Sequence, residues 1–132
     1  MQVKKCMTSP VVTVDPDATL HEAMGTMLEN RIGSVVVTGA EPVGILTRSD
    51  VLRSIYQDGS TVTERPVEET MSEDLVTIGP TDSVDRALHK MKANEIKKLP
   101  VVGPQLVGIV TLTDIARNQS ERVIKVTDTR PD

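Results

Sequence analysis

Two short segments of the sequence combine a glycine, a threonine and an aspartate at a fixed spacing of three residues. They are Gly44-x-x-Thr47-x-x-Asp50 and Gly108-x-x-Thr111-x-x-Asp114. An apolar run precedes each threonine, so each segment is predicted to be a strand that ends where a helix begins. The first turn of a helix has backbone N–H groups without intrahelical partners and is an anion site. The threonine hydroxyl could donate to a phosphate or ribose oxygen there, and the aspartate could accept hydrogen bonds from a cis-diol.

The same spacing has a second interpretation that needs no ligand. A threonine followed three residues later by an acidic residue forms a capping box, in which each side chain accepts a hydrogen bond from the other residue's backbone N–H. The basic pair Lys97-Lys98, just before Leu99-Pro100, also has two interpretations. It is either a solvated pair at a strand edge or a pair that binds phosphates.

No set of residues in the sequence predicts catalysis or a metal centre. The single cysteine, Cys6, and the two histidines, His21 and His89, form no metal-ligand spacing. No serine or cysteine nucleophile pairs with a histidine, and Asp50 and Asp114 occupy one position of a repeat, which fits duplicated binding better than catalysis. We therefore assign no catalytic residue, no metal and no required cofactor.

The elements that must position these segments occur twice. Residues 3–54 align with residues 67–118 without a gap, and the densest match is the pair of glycine, threonine and aspartate segments. In each copy an extended run (11–14 or 75–78) precedes a helix, a hairpin of two strands and a second helix. Each repeat is thus predicted to be β-α-β-β-α, with residues 1–58 as the first repeat, 59–66 as a linker, and 67–132 as the second repeat with a polar tail.

Length and composition bound the fold and the partners. A chain of 132 residues is one ordinary domain or two small units that share a core. Tyr56 is the single aromatic residue, so the core must be aliphatic and base stacking is disfavoured. A net charge of −4 gives no basic footprint for nucleic acid, and no run is long enough to span a membrane. With a single cysteine and no visible secretory signal, we expect a cytoplasmic protein.

The duplicated pattern resembles the cystathionine-β-synthase (CBS) domain, present twice as a Bateman module. The resemblance covers about residues 3–118 and rests on the tandem order, the two glycine, threonine and aspartate segments, and residues 96–102. It implies an α/β (α+β) fold in which the two repeats pack with pseudo-twofold symmetry. It also implies a regulatory module that binds an adenine nucleotide or adenosyl ligand, such as AMP, ADP, ATP or S-adenosylmethionine, in the cleft between the repeats.

The resemblance further implies which residues form two ligand sites. In this family the apolar slot for adenine comes from one repeat, and the threonine and aspartate come from the other. One site would combine residues of both repeats: Val12, Ile32, Gly33, Thr111, Thr113 and Asp114. The mirror site would likewise combine Val76, Ile96, Lys97, Lys98, Thr47, Arg48 and Asp50. Gly33 and Ser34 stand where the second repeat has Lys97 and Lys98, so the two sites are expected to differ.

The sequence also suggests which partners the protein has. We expect a homodimer, because apolar residues such as Leu52, Ile55 and Tyr56 remain on the helices. An unidentified protein effector would read the ligand-dependent arrangement. The alternative hypothesis is a structural module with empty clefts that only dimerises or docks onto another protein.

Overall fold

The computed structural model describes residues 1–73 and 75–118, and it divides into two compact units. The unit that holds Val11–Leu75 is called the first-repeat unit here. The second-repeat unit holds Met1–Pro10 together with the described residues from Val76 onward. The units and the sequence repeats (1–58 and 67–132) therefore divide the chain differently, because the leading residues of each repeat pack in the unit that carries the other repeat's helices and hairpin.

The first-repeat unit has a three-stranded sheet and two helices. Strand β1 (Thr13–Val14) pairs in parallel with β2 (Ser34–Thr38), and β2 pairs antiparallel with β3 (Pro42–Thr47), so the strand order is β1-β2-β3. The elements follow in the order β1 (Thr13–Val14), α1 (Leu20–Asn30), β2 (Ser34–Thr38), β3 (Pro42–Thr47) and α2 (Arg48–Asp58). This order confirms the mixed α/β prediction, and two 3₁₀ turns, Ser60–Glu64 and Val67–Glu69, close the unit.

The second-repeat unit repeats this arrangement with one difference. Its elements are α3 (Val84–Asn94), the antiparallel hairpin of β4 (Lys98–Val102) and β5 (Leu106–Thr111), and a helix, α4, described over residues 112–118. The extended run predicted at 75–78 makes a single parallel bridge, from Ile78 to Val101. In the first unit the Val36 N–H donates to the Val12 carbonyl, whereas the matching Pro100 has no N–H, so the second ladder is shorter.

Side chains at the helix ends set where the helices start and stop. Thr19 and Glu22 form a capping box, and Ser83 Oγ accepts from the Arg86 N–H at 3.0 Å. Asn30 and Asn94 are the last residues of α1 and α3. Each helix then ends at a left-handed residue, Arg31 or Glu95, both with φ of 55°.

The leading residues of each repeat are buried in the core of the unit that holds the other repeat's helices and hairpin. Val67 is fully buried in the first-repeat unit, where its N–H donates to the Ala18 carbonyl just before α1. Val3 is fully buried in the second-repeat unit, where its N–H donates to the Asp82 carbonyl just before α3. Both cores are aliphatic, as the composition predicts, and no described polar side chain is classed as buried.

Candidate functional site

Both threonine and aspartate pairs form capping boxes at the start of their helices. The Thr47 N–H donates to Asp50 Oδ2 at 2.9 Å, and the Asp50 N–H donates to Thr47 Oγ1 at 3.2 Å. The Thr111 N–H donates to Asp114 Oδ2 at 3.2 Å, and the Asp114 N–H donates to Thr111 Oγ1 at 3.0 Å. The ligand-free interpretation of the spacing is therefore confirmed as a description of the local geometry.

Capping leaves part of each carboxylate for other contacts. In both pairs Oδ2 accepts the backbone N–H of the threonine, and the cap makes no use of Oδ1. Asp50 Oδ1 lies 3.6 Å from Arg53 Nη1, and the Arg53 side chain is largely exposed, so this ion pair is easily exchanged for another partner. A carboxylate that caps its helix through one oxygen can still accept hydrogen bonds through the other.

The first-repeat unit brings together residues that were assigned to different sites. The Arg48 N–H donates to the Gly33 carbonyl at 3.0 Å, which joins the start of α2 to the start of the hairpin. The Arg48 guanidinium lies across Gly33, where an added Cβ would come within 2.7 Å of Arg48 Nη2. Gly33 therefore allows the close approach of an arginine from its own repeat. Val12 and Ile32 pack against the core of the same unit.

The second-repeat unit has the corresponding arrangement around its basic pair. The Leu112 N–H donates to the Lys97 carbonyl at 2.8 Å, and Lys98 pairs with Thr111 across the hairpin. Lys97 is exposed and Lys98 is half-buried. Val76 and Ile96 pack against the core, and Thr113 is exposed in the first turn of α4.

These placements group the candidate residues by repeat. Each repeat collects its own slot residues and its own threonine and aspartate: Val12, Ile32, Gly33, Thr47, Arg48 and Asp50 in one unit, and Val76, Ile96, Lys97, Lys98, Thr111, Thr113 and Asp114 in the other. The combination of a slot from one repeat with the aspartate of the other stays a prediction.

Sequence reasoning missed two features that the structure reveals. A groove of about 620 Å³ lies between α1 and α2, lined by apolar side chains together with Arg31 and Arg48. Its signal in the sequence was the pair of exposed leucines, Leu28 and Leu52, on amphipathic helices. The second feature is Lys90, whose Nζ donates to the Thr77 carbonyl at 2.7 Å and ties α3 to the extended segment before it.

Among the described residues, Cys6 has a perturbed pKa. Partial burial raises the pKa of the Cys6 thiol above its usual value, and the Asp114 carboxylate raises it further. The N-terminal ammonium group acts in the opposite direction. Cys6 and Asp114 both lie in the second-repeat unit.

The described residues contain neither a metal-ligand cluster nor a helix that could span a membrane. No group of three or more histidine, cysteine, aspartate or glutamate side chains could hold a metal ion in that part of the chain. None of the helices there combines the length and the apolar character needed to cross a lipid bilayer.

Comparisons of sequence and of structure with known proteins both find CBS domain proteins. The model of the CBS domain family matches residues 3–57 and again residues 67–121. The CBS domain-containing protein YhcV of Bacillus subtilis is 41% identical over 122 residues, which are 89% of this chain and 84% of YhcV. An inosine-5'-monophosphate dehydrogenase of Korarchaeum cryptofilum is 36% identical over 113 residues, which are 83% of this chain and 22% of that enzyme. The solved CBS domain pair of protein MJ0100, in complex with 5'-methylthioadenosine and S-adenosyl-L-methionine, superposes with a TM-score of 0.83 at 26% identity and covers 92% of this chain and 98% of that one.

Proposed function

This chain belongs to the CBS domain family, with two of its domains in tandem, and from that premise we propose that it is a regulatory module that binds an adenosyl ligand. The ligand class comprises adenine nucleotides (AMP, ADP or ATP) and adenosyl compounds such as S-adenosylmethionine. Binding acts by selection: the ligand stabilises the arrangement of the repeats that fits it best, and a protein effector reads that arrangement. The module regulates rather than catalyses.

The observation that carries this proposal is the duplicated helix start. Each repeat retains a threonine and an aspartate at the first turn of a helix, with a carboxylate oxygen that the cap does not use. The positive end of the helix suits phosphate, and the carboxylate suits the ribose hydroxyls. The solved CBS pair of MJ0100 binds two adenosyl compounds, which makes the same ligand class the first choice for this chain.

The predicted slots supply the rest of the recognition. Val12 and Ile32 in one repeat, and Val76 and Ile96 in the other, are half-buried aliphatic side chains of the kind that cover a purine ring. Lys97 and Lys98 add positive charge to the second repeat for phosphate groups, where the first has Gly33 and Ser34. We propose that the ligand takes its slot from one repeat and its ribose contact from the other.

The second candidate function is a structural module that only dimerises or docks. The capping boxes favour it, because they account for both aspartates without a ligand. The exposed apolar side chains of Leu28 (77% exposed), Leu52 (72%) and Tyr56 (89%) also favour it, since they provide a surface for a protein partner. A homodimer that buries Leu52, Ile55 and Tyr56 is compatible with both functions, and the cytoplasmic location stays a prediction.

Thermal unfolding with and without ligand separates the two functions. The protein is melted alone and with AMP, ADP, ATP, S-adenosylmethionine or 5'-methylthioadenosine, each at millimolar concentration. A ligand at 100 times its dissociation constant stabilises the fold by about 2.7 kcal/mol, and we expect at least one of the five to raise the midpoint by several degrees.

The control keeps the cap and moves the carboxylate. A variant with Asp50→Glu and Asp114→Glu retains an acidic residue at the third helical position of both capping boxes, so its ligand-free midpoint should stay near that of the wild type. We expect it to lose the ligand-induced shift. A wild-type protein that none of the five compounds stabilises would contradict the sensor function and favour the structural module.

A further inference from the structure

Lys90 is a half-buried lysine of α3 whose ammonium group bonds to the main chain. Its Nζ donates to the Thr77 carbonyl at 2.7 Å, across 13 residues of sequence. The bond is charge-assisted, and a long side chain gives up rotamer freedom to hold it. Thr77 directly follows Val76, one of the two residues proposed for the adenine slot of the second repeat. Lys90 therefore anchors the slot segment, residues 75–78, to α3.

In the first repeat the sheet holds the corresponding segment. The Val36 N–H donates to the Val12 carbonyl at 3.3 Å, and β1 pairs in parallel with β2. Thr26 stands at the position of Lys90 when the repeats are aligned. Its hydroxyl donates to the Glu22 carbonyl at 3.1 Å, so it is bonded within its own helix. The two repeats therefore anchor their slot segments by different means.

In the second repeat the sheet holds the slot segment less firmly. Pro100 stands at the position of Val36 and has no N–H to donate, and the parallel pairing is a single bridge at Ile78. That bridge lies two residues after Val76 in the sequence. Lys90 supplies a donor to the residue between them, which makes up for the donor that the proline removes.

The other slot residue is held by the same helix. The Ile96 N–H donates to the Met91 carbonyl at 2.9 Å, in the turn that ends α3. Lys90 directly precedes Met91, so α3 holds Ile96 through its backbone and the slot segment through the lysine side chain. Val76 and Ile96 both pack against the core of the second-repeat unit. Their spacing therefore depends on the bond that Lys90 makes.

We propose that Lys90 is a positioning residue, which sets the spacing of Val76 and Ile96 in the adenine slot of the second repeat. The proposal rests on the adenosyl-ligand function proposed above, and it adds a residue that acts through the slot without touching the ligand. A purine ring binds best to a slot that is already formed, because a loose segment must be ordered when the ligand binds. The effect concerns the base, so it is the same for ligands with and without phosphates.

Three variants on α3 test this role by calorimetric titration with adenosine and with ATP. Lys90→Met keeps an aliphatic side chain without a donor, Lys90→Arg keeps a charged donor, and Lys92→Met removes an exposed lysine of the same helix. Lys90→Met should raise the dissociation constants of both compounds by the same factor, about fivefold or more. Lys90→Arg should return to within about threefold of the wild type, because the donor is kept. Lys92→Met is the matched control and should leave both constants unchanged.

Amide hydrogen exchange of the ligand-free protein tests the anchor itself. Lys90→Met should speed exchange in peptides that cover residues 75–78, because the segment opens more often once its bond to α3 is lost. Lys90→Arg and Lys92→Met should exchange there like the wild type. Exchange elsewhere in the second-repeat unit should stay the same in all three variants, which separates a local anchor from a general loss of stability.

The outcomes distinguish this role from the proposed function. A wild-type protein that binds neither adenosine nor ATP overturns the proposed function and the role of Lys90 with it. A wild-type protein whose binding Lys90→Met leaves unchanged overturns the role of Lys90 alone. A larger loss for ATP than for adenosine also overturns it, because it would show a direct contact between the ammonium group and phosphate. So does a loss without recovery in Lys90→Arg, or faster exchange throughout the unit.

Discussion

At the residue scale, Asp50 and Asp114 have a structural task that exists without any ligand. Each carboxylate accepts a backbone N–H at the start of its own helix, which the spacing of threonine and aspartate predicted as one of two alternatives. The sequence alone could not choose between capping and sugar binding, because both need the same residues at the same spacing. The structure shows that capping uses Oδ2 in both repeats, so the two roles are compatible.

Removing and lengthening the carboxylate separates these two roles at Asp114. We expect Asp114→Ala to lower the free energy of unfolding by about 0.3–1 kcal/mol, since an anion near a helix N-terminus is lost. We expect it also to weaken adenosyl-ligand binding by about tenfold or more, because a hydrogen bond to a charged group is lost. Asp114→Glu should lose binding but not stability. Chemical denaturation and isothermal titration calorimetry measure the two effects, and unchanged binding in both variants would remove Asp114 from the site.

The basic pair provides a test of phosphate recognition. Lys97→Ala combined with Lys98→Ala should weaken the binding of ATP by a larger factor than the binding of adenosine, because a nucleoside has no phosphate for the lysines to contact. Calorimetric titration of both compounds measures the two factors. Equal factors for ATP and adenosine would show that the lysines have no phosphate role.

The pKa of the Cys6 thiol depends on burial first and on the charge of Asp114 second. Burial and the carboxylate raise the pKa of Cys6, so the fold favours the neutral thiol. This contribution to stability is present below the pKa that the thiol has in the unfolded chain, and it is lost as the pH rises through the higher folded value. Asp114→Asn should lower the pKa of Cys6, measured from the pH dependence of its alkylation rate. Asp50→Asn, in the other repeat, is the control, and an equal effect of both variants would contradict the contribution of the Asp114 charge to the pKa of Cys6.

At the element scale, local sequence signals predicted most of what the structure contains. The helices and both hairpins were predicted, because they depend on residues within a few positions of one another. The exception is the parallel pairing of the second repeat, which is a single bridge because Pro100 has no N–H to donate. Local signals also give no reason for Gly44 and Gly108, each of which makes a close contact with residues far away in sequence.

The close contact at Gly44 gives a stability prediction with an internal control. A Cβ at Gly44 would lie 2.6 Å from Met71 Sδ and 2.7 Å from the Ser72 carbonyl oxygen, so Gly44→Ala should destabilise the fold by about 1–3 kcal/mol. A Cβ at Gly25, within α1, would meet no atom within 4 Å, so Gly25→Ala should stabilise by about 0.5–1 kcal/mol. Urea unfolding measures both, and a Gly44→Ala variant as stable as the wild type would contradict the packing of Met71 on β3.

At the scale of the whole molecule, the leading residues of each repeat pack in the compact unit that holds the other repeat's helices and hairpin. Residues Met1–Pro10 complete the unit of the second repeat, and the segment around Val67 completes the unit of the first. A repeat in the sequence shows that two copies exist, but it does not show which copy each end packs against, because that choice depends on contacts between distant residues. The predicted boundaries therefore describe the sequence repeats, and the compact units have different ones.

Because Met1–Pro10 packs in the second-repeat unit, a buried residue near the N-terminus should stabilise that unit. Val3 is fully buried in the core of that unit, so Val3→Ala should lower the free energy of unfolding by about 2 kcal/mol. Lys4→Ala, at the exposed neighbouring position, should change it by less than about 0.5 kcal/mol. Thermal and chemical unfolding measure the difference. Equal stabilities of the two variants would show that the N-terminal segment does not belong to this core.

A crystal structure of the protein grown with the adenosyl compound that stabilises it most tests the central claim most directly. The account predicts that the ribose hydroxyls of the bound compound lie within hydrogen-bonding distance of the carboxylate of Asp50, of Asp114 or of both. A structure in which both carboxylates keep only their capping contacts, with the ribose bound elsewhere on the protein, would contradict it.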